Sequence, residues 1–395
     1  MPGFEWLDDK ETQALVEVMN RGILFRYDMP PGRGKYVEEF EKTFASYTGS
    51  RFALAVTSGS AALKVALAAL GVGPGDEVIT QGFTFVATWE AIFDCGAKPV
   101  FCEVDQTLCM DPESMRSKIT PRTRCIIPVH MMGAQASIAQ IKAIADERGI
   151  PVLEDTAQAV GCTLNGRHVG TSGAFGTYSF DAVKTLTTGE GGMLVTDDEG
   201  LFQNASEYHD HGHDHKPVGR GNEGRRFIGF NFRMMELQGA LGLVQLAKMP
   251  KMVETYRHHK NALKEALARV PGLTFREVPD AAGDSATFLT WFMPDAEAAG
   301  RMAAILAEHN AGAIPWGKNT WHNFARWEHL HAGATLHKGG WPFERLEGYS
   351  SYSPEDLPAT RDLLARCLSW QIMLNWDEAR LQQMTEAVNH VVAAF

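Results

Sequence analysis

Three features of the sequence predict an α/β fold with a mostly parallel central sheet and a smaller C-terminal α+β domain. Short β-rich runs alternate with helical patterns through the first two thirds of the chain. That alternation needs crossover helices, which cover both faces of a parallel sheet. Near Phe232 the periodicity changes to long amphipathic helical repeats. The 395 residues, 45% of them hydrophobic, also exceed the ~250–300 residues that one core usually serves. The expected division is a large domain over 1–250, opening on an N-terminal helical segment, and a small domain over 251–395.

In chain order, strands are expected at 53–57, 77–80, 98–102, 124–129, 152–154, 177–180 and 193–196, each a short run rich in apolar or β-branched residues. Helices are expected between them at 60–70, 84–95, 112–119 and 138–148, where apolar residues recur at helical spacing. The loops leading from strand to helix would line the ligand crevice of such a sheet. Two long helices follow at 233–245 and 253–268, then a Gly-, Trp- and His-rich stretch from Gly312 to Gly348, and terminal helices at 358–368 and 378–392. No internal repeat or low-complexity segment is evident.

Composition narrows the functional classes. A net charge of −11 without a long basic run argues against binding nucleic acid or acidic membranes through bulk electrostatics. The N-terminus has no charged segment leading into an apolar one, and no apolar run approaches the ~18 residues that span a bilayer, so a cytoplasmic protein is expected. The six cysteines are scattered in apolar surroundings without a C-x-x-C pair and read as reduced core residues.

The chemistry concentrates between residues 152 and 195. Glu154-Asp155-Thr156-Ala157-Gln158 ends an apolar strand, Ser179-Phe180-Asp181-Ala182-Val183-Lys184 follows, and Gly189-Glu190-Gly191-Gly192 closes the segment. An acid, a polar handle, a Ser-to-Lys pair and glycines stand in the order in which an enzyme of pyridoxal 5'-phosphate (PLP) would use them. Asp155 would keep the pyridinium nitrogen protonated, and Lys184 would form a Schiff base with the aldehyde. A solvated surface lysine is the bland alternative, but Lys184 lies between an apolar strand and a Gly-rich turn. Upstream, Thr57-Ser58-Gly59-Ser60-Ala61 follows a strand and opens a helix. Gly59 would allow close backbone approach, Ser60 would offer a hydroxyl, and the helix N-terminus would present free N–H groups to a phosphate. Ser60 could equally be a plain N-cap. Phe85 could stack on a pyridine ring or pack in the core.

Together, S-G-S-A-A-L, F-T-F-V-A-T, E-D-T-A-Q, S-F-x-x-x-K, G-E-G-G and G-F-N-F-R-M resemble, in order over most of the first 250 residues, the DegT/DnrJ/EryC1/StrS sugar aminotransferases. The resemblance implies the aspartate aminotransferase fold (PLP fold type I), with Lys184 as the Schiff-base lysine, Asp155 at the ring nitrogen and Gln158 at the ring hydroxyl. It further implies that Gly59, Ser60 and Ser179 hold the phosphate and that Phe85 stacks on the ring. Asn231 would reach the phosphate of a neighbouring subunit, making the working unit a homodimer with shared active sites.

The acceptor is a separate question. Met1–Glu5, Phe25-Arg26-Tyr27, Thr107-Leu108-Cys109, the Ser179–Thr185 run, Asp210–His215 and Arg220–Gly224 resemble the branch of that family that aminates C8 of a sugar acid of lipopolysaccharide. The implied reaction moves the amino group of L-glutamate to 3,8-dideoxy-8-oxo-manno-octulosonate. Such an acid needs cations, and Arg220, Arg225, Arg226, His211 and His213 of one loop are the candidates, with a solvated charged loop as the alternative. A nucleotide-linked 4-keto-6-deoxyhexose would want the same cations, so both acceptors stay open. A PLP-dependent sugar dehydratase fits less well, because the resembling dehydratases carry histidine in place of the lysine. A non-catalytic relative would be expected to lose one of these groups. The His209–His215 run offers metal-ligand types, but Gly212 and Lys216-Pro217 suggest a loop and the cofactor chemistry needs no metal, so none is expected. Trp316, Trp321, His322, Trp327 and His329 would form either a sugar-stacking wall or an interface seal.

Overall fold

The computed structural model describes residues 3–27, 35–216, 218, 222–343 and 351–395. Its central sheet contains β1 (Phe52–Val56), β2 (Glu77–Gln81), β3 (Lys98–Cys102), β4 (Thr123–Ile127) and β5 (Leu153–Asp155). After a short hairpin of β6 (Thr163–Leu164) and β7 (Arg167–His168), β8 (Phe175–Ser179) and β9 (Gly192–Thr196) complete it. Four strands pair in the order β1-β9-β8-β5 and three in the order β3-β2-β4. Parallel bridges Ile126↔Val152 and Val129↔Asp155 join the two groups between β4 and β5. Only β9 runs antiparallel to its neighbours β1 and β8, while the β8-β5 and β3-β2-β4 pairings are parallel. The sheet is therefore mostly parallel, as expected.

Helices α1 (Asp9–Arg21) and α2 (Tyr36–Thr48) precede the sheet, α3 (Gly59–Ala69), α4 (Ala87–Asp94), α5 (Pro112–Ser117) and α6 (Ile138–Asp146) connect its strands, and α7 (Glu199–Tyr208) follows β9. Asp8 caps α1 in a capping box with Glu11. The Glu236 carboxylate caps α2, accepting N–H bonds from Lys35 and Tyr36 at 2.8 Å and Val37 at 3.1 Å.

The two helices expected at 233–245 and 253–268 are one, α8 (Glu236–Leu267), with Pro250 inside it. Local sequence favours a break there. However, Leu246, Met249, Met252 and Val253 all enter the main apolar core, and burying them outweighs one lost backbone bond. The expected boundary at 250/251 falls within this helix. One core cluster runs from Phe40 and Phe180 through Met249 to Trp291, Leu368 and Val388.

The C-terminal part holds an antiparallel sheet in the order β10-β11-β13-β12, made of β10 (Thr274–Phe275), β11 (Phe288–Phe292), β12 (Ile314–Pro315) and β13 (Cys367–Gln371). Helices α9 (Ala296–Glu308), α10 (Glu328–His331), α11 (Pro358–Ala365) and α12 (Glu378–Ala394) accompany it. The helix expected at 358–368 thus stops at Ala365, because the following residues are claimed by β11 as its partner strand. Five of the six free cysteines are buried and Cys95 is half-buried. No helix among the described residues is long and apolar enough to cross a membrane.

Candidate active site

Strands β1, β2, β5 and β8 run in the same direction, so the segments leaving their carboxyl ends meet along one edge of the sheet. That edge is where open α/β sheets bind ligands. A cavity of about 600 Å³ opens there, lined by Gly59 and Ser60, Thr84 and Phe85, Asp155 and Gln158, and Ser179 and Lys184, with Phe288, Trp316 and Gln371 closing it from the C-terminal part.

The first wall is the N-terminus of α3. Ser58, not Ser60, is the N-cap: its hydroxyl accepts the Ala61 N–H at 3.0 Å. This leaves Ser60 exposed at the cavity, its hydroxyl without a partner among the described residues. Gly59 permits the approach of this turn to β8, since a Cβ there would stand 2.7 Å from the Cβ of Ser179 and 3.1 Å from its Oγ. Two hydroxyls and the unpaired first-turn amides thus converge on one spot, a cradle for a phosphate.

Asp155 ends β5 and is buried. Its Oδ2 accepts the Thr88 hydroxyl at 2.8 Å and its Oδ1 the Ala157 N–H at 3.1 Å. Burial pushes its carboxyl above the usual range, partly offset by those two hydrogen bonds and by Lys184. A carboxyl buried at a cavity wall has this signature, and a pyridinium placed against it would relieve it. Burial lowers the Lys184 ammonium below the usual lysine value, against the pull of Asp181 and Asp155. A lysine so placed is easily a neutral nucleophile. The residues therefore fit PLP: a cradle for its phosphate, an acid for its ring nitrogen, an amine for its aldehyde.

Phe85 lies at the same cavity, its ring centroid 5.5 Å from that of His322 and 5.6 Å from that of Trp321. Gln158 receives the Met132 N–H on Oε1 at 3.1 Å, and its Nε2 lies 3.2 Å from Nε2 of His322. Of the aromatic residues singled out from the C-terminal part, Trp316, Trp321 and His322 line the cavity. Trp327 is fully buried in an apolar cluster, and His329 packs against Trp89.

Asn231, Arg225, His211 and His213 do not line this chain's cavity. Asn231 is exposed and its Oδ1 accepts the Arg233 N–H at 3.2 Å. Arg225 is exposed and donates to the Gly224 carbonyl at 3.2 Å. His211 is exposed, with φ of 58°. Arg220 lies outside the described residues. His213 stands 3.6 Å from Asp210, 3.4 Å from Glu223 and 3.2 Å from Nδ1 of His215. Asp210, His213 and His215 each bring a ligand-type atom within 4.8 Å of the others. Asp210 is already ion-paired with Arg233, however, so no ion is required to satisfy the group.

Sequence reasoning missed Thr88, Asn319 and the place of His322. Thr88 had a faint signal, being one helical turn beyond Thr84, whose hydroxyl it meets at 2.7 Å. The partners of His322 lie 164 residues away in Gln158, and nothing local announces them.

Fold and site together define a PLP-dependent transaminase. The sequence profile of the DegT/DnrJ/EryC1/StrS aminotransferase family matches residues 7–389, and the chain belongs to that family of sugar aminotransferases. It is 37% identical over 399 residues to the spore coat polysaccharide biosynthesis protein SpsC of Bacillus subtilis (strain 168), covering 97% of this chain and 94% of that protein. It is 33% identical over 272 residues to the GDP-perosamine synthase of Vibrio cholerae, covering 69% and 71%. The solved aminotransferase from Psychrobacter cryohalolentis superposes with a TM-score of 0.83 at 27% identity over 98% of both chains.

Proposed function

We propose that the enzyme transfers the amino group of L-glutamate to C8 of 3,8-dideoxy-8-oxo-manno-octulosonate, and that it works as a homodimer whose partner completes each site. Lys184 would hold PLP covalently and, as a free amine, would take up and return the proton at the substrate Cα. Asp155 would keep the ring nitrogen protonated, Gln158 would face the ring hydroxyl, Phe85 would cover the ring, and Gly59, Ser60 and Ser179 would hold the phosphate. PLP supplies the electron sink that makes breaking the Cα–H bond feasible.

The charge inventory of the cavity carries the proposal. Among the described lining residues the acids are Asp155, Asp181 and Glu190, and the one lysine or arginine is Lys184, which the covalent link would consume. Neither the carboxylates of glutamate nor that of an octulosonate finds a cation there. Arg225 and Arg226, together with Asn231, are exposed on a segment outside the cavity. Two copies exchanging these segments would supply the missing cations, as buried or half-buried carboxylate recognition demands. The octulosonate itself rests on the motifs at 179–185, 210–215 and 220–224. The relative named as a GDP-perosamine synthase favours the alternative, a nucleotide-linked 4-keto-6-deoxyhexose.

Assay of the PLP-loaded enzyme with L-glutamate and each acceptor tests the choice. Formation of the 8-amino sugar acid is the expected result, and turnover of the nucleotide sugar alone rejects it. Sedimentation would report the dimer, and Arg225→Ala should raise KM for the acceptor with little loss of folding.

A further inference from the structure

We infer that His322 is a positioning residue: through the chain Asn319–His322–Gln158 it fixes the Gln158 amide with an N–H directed into the cofactor cavity. The inference rests on Gln158 facing the ring hydroxyl, as proposed above.

The assignment follows from groups that can only donate. Oδ1 of Asn319 accepts the backbone N–H of Trp321 and of His322, both at 2.9 Å, so it is the oxygen that faces the histidine. Nδ1 of His322, 3.1 Å from that oxygen, must carry the proton. Nε2 of His322 is then a lone pair, and the Gln158 atom 3.2 Å away must be a donor. From the opposite end, the Met132 N–H fixes the Gln158 acceptor at 3.1 Å, which turns the amide nitrogen toward the histidine. Two independent constraints agree on one proton arrangement. An amide nitrogen has two hydrogens. His322 takes one, and the other is free for an oxygen in the cavity that Gln158 lines.

A protonated imidazole would set an N–H against an N–H. Burial first, and then the charge of Lys184, hold the His322 pKa down to about 3, so the neutral form persists throughout the working range. The segment is anchored as well: the Thr84 N–H donates to the His322 carbonyl at 3.1 Å, tying the histidine to the loop that carries Phe85. His322 thus borders the cofactor cavity and acts on it through the Gln158 amide.

The test compares wild type, His322→Phe, His322→Gln and Gln158→Ala for PLP affinity of the cofactor-free protein and for the pH at which the visible band of the loaded enzyme changes. His322→Phe keeps the ring packing but removes the acceptor. It should weaken PLP by about 3- to 10-fold, the worth of one hydrogen bond, and shift the band transition, whereas His322→Gln, which retains an acceptor, should recover much of both. If Gln158→Ala moves both readouts and His322→Phe neither, the inference falls while the reading of Gln158 stands. If Gln158→Ala also leaves both unchanged, the reading of Gln158 falls and the inference with it. Should His322→Phe not fold, imidazole 15N shifts of cofactor-free wild type decide: a neutral Nδ1–H ring from pH 5 to 8 supports the chain, and an Nε2–H ring or titration near pH 6.5 overturns it.

Discussion

Thr88 donates its hydroxyl to Oδ2 of Asp155 at 2.8 Å while contacting the Thr84 hydroxyl at 2.7 Å. A hydroxyl from the first turn of α4 thus fixes the carboxylate at the end of β5, two elements that the sequence separates by 67 residues. The bond stabilises the charged form of an acid that burial otherwise pushes toward neutrality. Thr88→Val keeps the shape and removes the donor. The Asp155 pKa should rise further and PLP affinity should fall by about 3- to 10-fold, measured by fluorescence titration. Unchanged affinity would show that the Thr88 bond has no bearing on the cofactor.

Asp155→Ala should be far more damaging. Without an anion at the ring nitrogen the cofactor loses its protonated form as electron sink, and we expect kcat to fall by about 10²–10⁴, the usual range for a positioned acid or base. Steady-state kinetics at saturating PLP separates this loss from weaker cofactor binding.

Lys184→Ala should abolish the covalent link. Protein reconstituted with PLP should show the spectrum of the free aldehyde, and adding L-glutamate should not produce turnover with either acceptor. A wild-type-like spectrum in this variant would assign the link to another amine.

Gly59→Ala would place a methyl 2.7 Å from the Ser179 Cβ, inside van der Waals contact with a side chain too short to swing away. The turn must retreat from β8, at a cost of about 1–3 kcal/mol, and the phosphate cradle opens. Lower PLP affinity together with a lower melting temperature is the expected pair of results.

Glu154 and His130 form a fully buried pair 2.9 Å apart. Glu154 also accepts the N–H groups of Gly170, Ser172 and Gly173 at 2.6–2.9 Å, and the Ala136 N–H donates to Nδ1 of His130 at 3.0 Å. Burial pushes the Glu154 carboxyl up, but the hydrogen bond from Nε2 of His130 and the backbone donors outweigh it, leaving it below the usual range. A depressed folded-state pKa means that its stabilisation is complete above the ordinary glutamate value and is lost as pH falls through the folded value. Glu154→Gln sets an amide NH2 against backbone donors and should destabilise by about 1–3 kcal/mol at neutral pH, and the deficit relative to wild type should narrow below pH ~4. Denaturant melts at both pH values would check this, and a constant deficit would exclude an ionised Glu154 carboxylate.

Much of this enzyme was legible in its sequence. The seven strands of the central sheet lie within two residues of their expected bounds, because short buried runs between turn residues leave few alternatives. Asp155 at the end of β5 and Gly59 at the start of α3 stand at element ends, while Phe85 and Lys184 lie in the segments that follow β2 and β8, and all four line one cavity. The sequence also determined the order in which an acid, a Ser-to-Lys pair and a Ser-Gly-Ser helix start occur, and these residues line one cavity. Tertiary structure decided the rest. It ran α8 through Pro250, since the core gained by burying Met249 and Met252 exceeds the lost backbone bond. It gave the N-cap to Ser58 and left Ser60 free. It set Thr88 on Asp155 and His322 on Gln158, contacts between residues so far apart in the chain that no periodicity or motif encodes them, only the packing of one part of the chain over the edge of another's sheet.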